Sequence, residues 1–276
     1  VNRIVTIIKA FGAAIRHLRN GRLAVPLALY FLLKLGIILA YAFGPVGATA
    51  AVWGILRPGQ SGEALSHYPD RLIVMPIMLG RLDIPLEILV LSFAQGITVV
   101  LVALAASRAP LSVVGGAART RTRYVHLAVA AAVVSAAMFV VFRYPLSLLD
   151  RLAGVPRAWE LALGVSAGIV VQALFIYAVP FIVLDGRSSI DALRRSVAFA
   201  ARHPVESLAL VALPFALTVP TLLLTLNPQA VAFQLSPEFL VQVQIAGELV
   251  EFATGYLLVG GLTLYLLDAR SREEKR

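Results

Sequence analysis

Six stretches of this chain, each about 20 residues long and nearly free of charge, decide the solvent in which it folds. At 1.5 Å per residue such a stretch reaches across a hydrocarbon core of about 30 Å. Only 14% of the residues are charged and the mean hydropathy is +0.86, whereas an ordinary soluble domain carries about 25% charged residues. Inside a bilayer each backbone N–H and C=O must be satisfied by the chain itself, which favours helices. The expected fold is therefore all-α, a polytopic membrane bundle of six transmembrane helices. The spans fall at about 23–43, 84–106, 124–142, 160–184, 205–226 and 247–267, with a charged tail at 268–276.

The polar connections give the layout. Residues 1–22 read as an amphipathic interfacial helix, with Ile4, Ile7, Ile8, Phe11, Ile15 and Leu18 on one stripe and Arg3, Lys9, Arg16 and Arg19 off it. A helix packed on the other spans predicts the same stripe. Residues 46–83 form a long segment rich in turn signals. Its apolar run at 72–79, broken by Pro76, is too short to span and suits a surface-lying or re-entrant piece. Residues 143–159 suit a small interfacial helix, and 227–240 lie outside the spans. Pro214 and Pro220 bend span 5.

Charge sets the orientation. Seventeen of the 24 lysines and arginines fall in the N-terminal segment, the loops at 107–123 and 185–204, and the tail. By the positive-inside rule these faces and both termini are cytoplasmic, as in the inner membrane of a bacterium. The net charge of +9 is thus read as topology and headgroup attraction, with no nucleic acid as partner. Arg16, Arg19, Arg119, Arg121, Arg123, Arg187, Arg194, Arg195 and Arg202 are the expected contacts to anionic lipid headgroups or to a protein partner.

The loop at 185–204 is the most informative. Ser188 is placed to cap a basic helix, with Asp191 three residues on, and Ile190, Leu193, Val197 and Ala200 fall on one face. Leu184-Asp185-Gly186-Arg187-Ser188 is echoed by Leu267-Asp268-Ala269-Arg270-Ser271 and more weakly by Ala105-Ala106-Ser107-Arg108-Ala109. Each echo stands where a span emerges, which suggests a pseudo-repeat of three helical hairpins, one split between the chain ends. The sequence around Val183-Leu184-Asp185-Gly186, the Ala192-Leu193-Arg194-Arg195-Ser196 of the basic helix and Arg202-His203-Pro204 resembles the bacterial membrane domain that precedes the catalytic domain of some glycerophosphodiester phosphodiesterases, and related six-span families. The ending Tyr265-Leu266-Leu267-Asp268-Ala269-Arg270 is similar to theirs. The resemblance implies a six-helix membrane domain with cytoplasmic amphipathic helices. It does not carry over the phosphodiesterase activity, whose soluble catalytic segment this sequence lacks.

Catalytic motifs are missing. The four histidines are dispersed, Gly115-Gly116 lacks a P-loop's lysine and hydroxyl, and there is no cysteine for a disulfide, a thiolate nucleophile or a Cys-ligated metal. No cofactor or metal is implied. Polar groups inside the spans are costly and face a bundle interior. They are Lys34, Gln95 and Gln172 near mid-depth, and Glu87, Glu248 and Glu251 nearer the outer end. Glu248 and Glu251 share a helix face, and a start of span 6 at Phe239 would place them deeper. The first functional reading is a non-enzymatic membrane module, a lipid-interacting organiser or an accessory subunit of a larger complex. The alternative is a small transporter or permease with a polar site near Lys34, Gln95, Gln172 and Glu251. A third reading is an enzyme acting on lipid. A shared interior cavity around those four residues is the feature that separates transport from the rest.

Overall fold

A computed structural model describes residues 3–18, 20–45, 68–149 and 157–273. Among these residues the fold is helical throughout, with no strand. A basic helix, α1 (Arg3–Leu18), leads through a short turn at Gly21–Leu23 into α2 (Val25–Phe43). Next come α3 (Asp70–Ala106), the short α4 (Val113–Arg121) and α5 (Tyr124–Leu149). Span 4 is α6 (Arg157–Phe175) plus a short continuation, α7 (Ala178–Val183). The basic helix α8 (Ser189–Arg202), α9 (Pro204–Leu226), α10 (Pro228–Gln234) and α11 (Pro237–Glu273) complete the chain. Six of these segments are long and apolar enough to cross a membrane. This is a polytopic all-α bundle, built around α11, which packs on α1, α2, α3 and α9.

Two helices depart from the expected spans. Both α3 and α11 have 37 residues, so each is about 55 Å long, well beyond a hydrocarbon core. The run at 72–79 is accordingly no surface-lying or re-entrant piece. Leu72, Met75, Met78 and Leu79 are buried against Ile38 and Tyr41 of α2 and Leu240 and Val241 of α11. This run of α3 buries its apolar side chains against α11, which likewise begins earlier than expected, at Pro237. Arg71 fastens the same end, reaching the carbonyls of Tyr41 and Gly44 while the Tyr41 hydroxyl donates to the Arg71 carbonyl at 2.9 Å. Residues 143–149, expected as part of a separate interfacial helix, continue α5. The segment 46–67, residues 150–156 and the end of the tail lie outside the described residues.

Two spans are irregular. Within α3 the ladder widens to a π-turn at Glu87–Leu91, just after Pro85. Span 4 is interrupted at Ile176–Tyr177, where Pro180 has no N–H for the carbonyl four residues back. The interruption is bridged by α8. Ser196, fully buried, accepts from the Tyr177 N–H at 3.1 Å and donates to the Leu174 carbonyl at 2.7 Å.

The basic helices gather at one end of the bundle. Helix α1 lays Ala14 and Phe11 on the small residues Gly260 and Gly261 of α11, while Ile8 and Ile15 point away from the protein. Ile7, Ala10 and Ala14 are its buried face, so the packed reading of α1 holds for that side. In α8 the Ser188 hydroxyl accepts from the Asp191 N–H, as the cap predicts, at 3.4 Å. Its buried face is Ser189, Ala192, Leu193, Ser196 and Ala200; Ile190, expected on that face, is 63% exposed. The two strong copies of the Leu-Asp-x-Arg-Ser echo meet directly. Arg270 of the second grips Asp185 of the first with two hydrogen bonds of 2.8 and 2.7 Å. Gly186, between them in space, holds a positive φ of 67°, and a Cβ there would fall 2.8 Å from the Arg123 guanidinium, so the turn needs glycine for both backbone and room.

Gly96 lies where α3, α4, α5 and α7 converge. A Cβ at this position would sit 2.6 Å from Thr120 and 2.9 Å from Leu127. Gly96→Val should therefore destabilise the bundle by about 1–3 kcal/mol, read as a lower midpoint of unfolding in denaturing detergent. Gly12→Val, where nothing lies within 4 Å of the added carbon, is the control and should cost less.

Candidate functional site

Lys34 points into the bundle from the middle of α2 and is 5% exposed. Its ammonium meets Glu248 at 2.8 Å, Glu251 at 3.0 Å and Asp83 at 3.1 Å. An ammonium has three protons to donate, and here each has a carboxylate. Three spans supply this cluster: α2 the cation, α3 Asp83, and α11 the glutamates, which reach Lys34 together because they are three residues apart on one helix face.

The cluster forms part of the wall of a partly open cavity of about 660 Å³. All six spans contribute to it, through Leu27 of α2, Gln95 of α3, Ser135 of α5, Gln172 of α6, Thr218 of α9 and Glu251 of α11. Glu87 and Glu248 line it as well. Of the six intramembrane residues singled out in the sequence, five face this one space and the sixth, Lys34, is bonded to two of them. The irregular parts of the spans border the same space: Glu87 and Leu91 bound the π-turn, and Ala178 to Pro180 follow the break in span 4. Transporter sites are often formed by such interrupted helices, because unwound backbone is tolerated where it lines a cavity.

Three features of the wall were not singled out in the sequence. Asp83 was excluded by placing the start of span 2 at Ile84; its spacing of four from Glu87 puts both on one helix face and was a legible signal. Thr218, Thr221 and Thr225 form a hydroxyl ladder on the cavity side of α9, again at helical spacing. Tyr30 is 6% exposed, lines the cavity, and its hydroxyl has no hydrogen-bond partner among the described residues. No pattern in the sequence marks it.

The arginines of the basic helices and loops divide into two groups. Arg119 donates to the Leu184 carbonyl at 3.4 Å, Arg123 sits against Gly186, and Arg187 pairs with Asp191 at 3.4 Å. These three hold the turn after α7. Arg16, Arg121, Arg194, Arg195 and Arg202 are exposed, with Arg195 3.6 Å from Asp191. Arg195 and Arg202 border a recess of about 340 Å³ floored by Phe181 and Phe199. Arg19 lies outside the described residues.

Among the described residues no group of His, Cys, Asp or Glu is arranged to hold a metal ion. Comparison of the chain with protein-family models, with curated proteins and with solved structures found no match.

Removing the ammonium leaves three clustered carboxylates without a counter-charge. Lys34→Met should destabilise the bundle by about 3–5 kcal/mol, and adding Glu248→Gln and Glu251→Gln to it should recover most of the loss in the same detergent-unfolding measurement. At the helix break, Ser196→Ala strands the Tyr177 N–H and the Leu174 carbonyl. It should cost about 1–3 kcal/mol, and hydrogen exchange at Tyr177 should accelerate.

Proposed function

We propose that this chain is a small, non-enzymatic membrane permease that binds a polar solute in the cavity between its six spans. The observation that carries the reading is the sharing of that one cavity by every span, with Gln95, Gln172 and Glu251 on its wall and Lys34 bonded to Glu251. A volume of about 660 Å³ falls in the range of small-molecule sites, about 300–1,000 Å³. A module that only anchors or organises has no use for an acidic cavity at its centre. The likeness of the layout to the membrane domains of glycerophosphodiester phosphodiesterases is retained as a proposal about descent, without their chemistry.

A second role stands beside transport. The exposed Arg194, Arg195 and Arg202 of α8 support association with anionic lipid, each such charge near the surface contributing about 1 kcal/mol. The count of lysines and arginines supports an orientation with both termini in the cytoplasm of a bacterial cell, and hence an inner-membrane location.

Purified protein in sealed liposomes should take up a solute from a panel of amino acids, amines, organic acids and sugars in a saturable manner. The double variant Glu248→Gln with Glu251→Gln should reduce that uptake at least tenfold; unchanged uptake would dismiss the cavity as the route. The natural absence of cysteine allows a clean orientation test. A membrane-impermeant maleimide should label Leu235→Cys from outside intact cells and should reach Ser271→Cys only after lysis. Replacing Arg194, Arg195 and Arg202 with Gln should weaken sedimentation with phosphatidylglycerol vesicles of the detergent-solubilised protein while leaving its unfolding midpoint unchanged.

A further inference from the structure

The cavity wall is rich in hydrogen-bond acceptors. Five of its hydroxyl groups donate to backbone carbonyls. Thr218 donates to the Phe215 carbonyl at 2.8 Å, Thr221 to Thr218 at 2.9 Å and Thr225 to Leu222 at 2.9 Å. Ser92 donates to Ile88 at 2.6 Å and Thr254 to Val250 at 2.8 Å. What these groups can still offer a ligand is oxygen lone pairs. Lys34, the cation of the cluster, has all three protons engaged by carboxylates. These hydroxyls and the carboxylates present acceptors to a guest, while Gln95 and Gln172 can serve as either donor or acceptor.

Charge points the same way. Asp83, Glu87, Glu248 and Glu251 bound the cavity, against the single ammonium of Lys34. Four carboxylates against one ammonium favour a guest that brings positive charge. The unpartnered Tyr30 hydroxyl is the second, independent observation. It is buried on the cavity wall beside this cluster, and no described residue bonds it. A buried hydroxyl without a partner carries a desolvation cost that a bound ligand removes. Next to it Phe31 and Phe252 form a tilted ring pair with centroids 5.7 Å apart, and both line the cavity. Aromatic faces attract cations, and more strongly where water is excluded.

We infer that the guest of this cavity is an organic ammonium ion, its N–H groups bonded to Glu251, Glu87 and the Tyr30 oxygen and its apolar part against Phe31 and Phe252. The inference rests on the reading of the cavity as a solute site. The four carboxylates discriminate against anions, and the aromatic lining favours an alkyl or aryl amine over a bare inorganic cation. The same ammonium chemistry belongs to a free amine and to the headgroup of an ethanolamine phospholipid.

The test uses the full chain in nanodiscs of phosphatidylglycerol, with phenethylammonium as probe and phenethyl alcohol and phenylacetate as its neutral and anionic counterparts. Phenethylammonium should bind saturably and at least tenfold more tightly than either. Tyr30→Phe removes only a hydroxyl that bonds none of the described residues, so the unfolding midpoint should hold or rise while the probe binds about tenfold more weakly, the loss of one well-placed hydrogen bond. Glu251→Gln should weaken binding by a larger factor. Phenylacetate or phenethyl alcohol binding as well as the amine would overturn the inference, and so would undiminished amine binding by Tyr30→Phe. Discs containing phosphatidylethanolamine separate the two sources: competition with the probe assigns the site to the lipid headgroup, and indifference assigns it to a free amine. Uptake into liposomes is measured in parallel. Amine that binds but does not cross sinks the permease reading and leaves the ligand class standing; uptake of some other solute without amine binding does the reverse.

Discussion

A charged lysine in the middle of a membrane helix is tolerable only if its protons are matched, and this bundle is arranged so that they are. Lys34 draws Asp83 and Glu248 to within about 3 Å, and with them the helices that carry them. The desolvation of one ammonium and three carboxylates is large, and their mutual attraction offsets it only when the geometry is good and each proton has an acceptor. That requirement fixes the rotation of α11 about its axis, because two glutamates a helical turn apart must both face α2. It also fixes the depth of α3, whose Asp83 must stand level with Lys34. The same carboxylates line the cavity, so the groups that satisfy Lys34 also form part of its wall.

The second constraint is the backbone. In lipid, an unpaired carbonyl has no water to turn to, so an interrupted span has to be repaired from inside the protein. Ser196 performs that repair for span 4 with one hydroxyl serving both sides of the gap. The repairing helix, α8, is the one that carries the exposed arginines. Its position at the surface and the local shape of the cavity near Ala178 to Pro180 are thereby tied through a single buried side chain.

Much of this architecture was legible in the sequence because membrane solvent enforces simple rules. The number of spans, their order and the basic character of the loops follow from run length and charge alone. Ser188 as a cap was equally readable, since it answers a local backbone need. The lengths of α3 and α11 were not, because hydropathy marks where a helix enters lipid and is blind to turns that continue beyond it and bury Met75 and Met78 on a neighbouring helix. Lys34, Gln95, Gln172 and Glu251 could be named as interior groups from cost alone, but their meeting in one place depends on helix rotation, which no single span encodes. Asp83 fell outside the site by one residue of boundary error. The role of the arginines divided for a similar reason: Arg119 and Arg123 look like Arg194 and Arg202 in a charge count, yet the first two are held against the Leu184–Gly186 turn by neighbours distant in sequence.

The Lys34–Glu251 pair joins residues 217 positions apart, which has a consequence for how the protein is made. At about 5–20 residues per second, span 1 leaves the ribosome some 10–40 seconds before the helix bearing the glutamates exists. Helix α1 faces the same delay, since Gly260 and Gly261, its seat, emerge among the last turns of the bundle. During that interval the young lysine must be sheltered by water, by the insertion machinery or by bending toward the lipid surface. Completion of α11 then supplies both glutamates at once, so this helix acts as the keystone of the assembly.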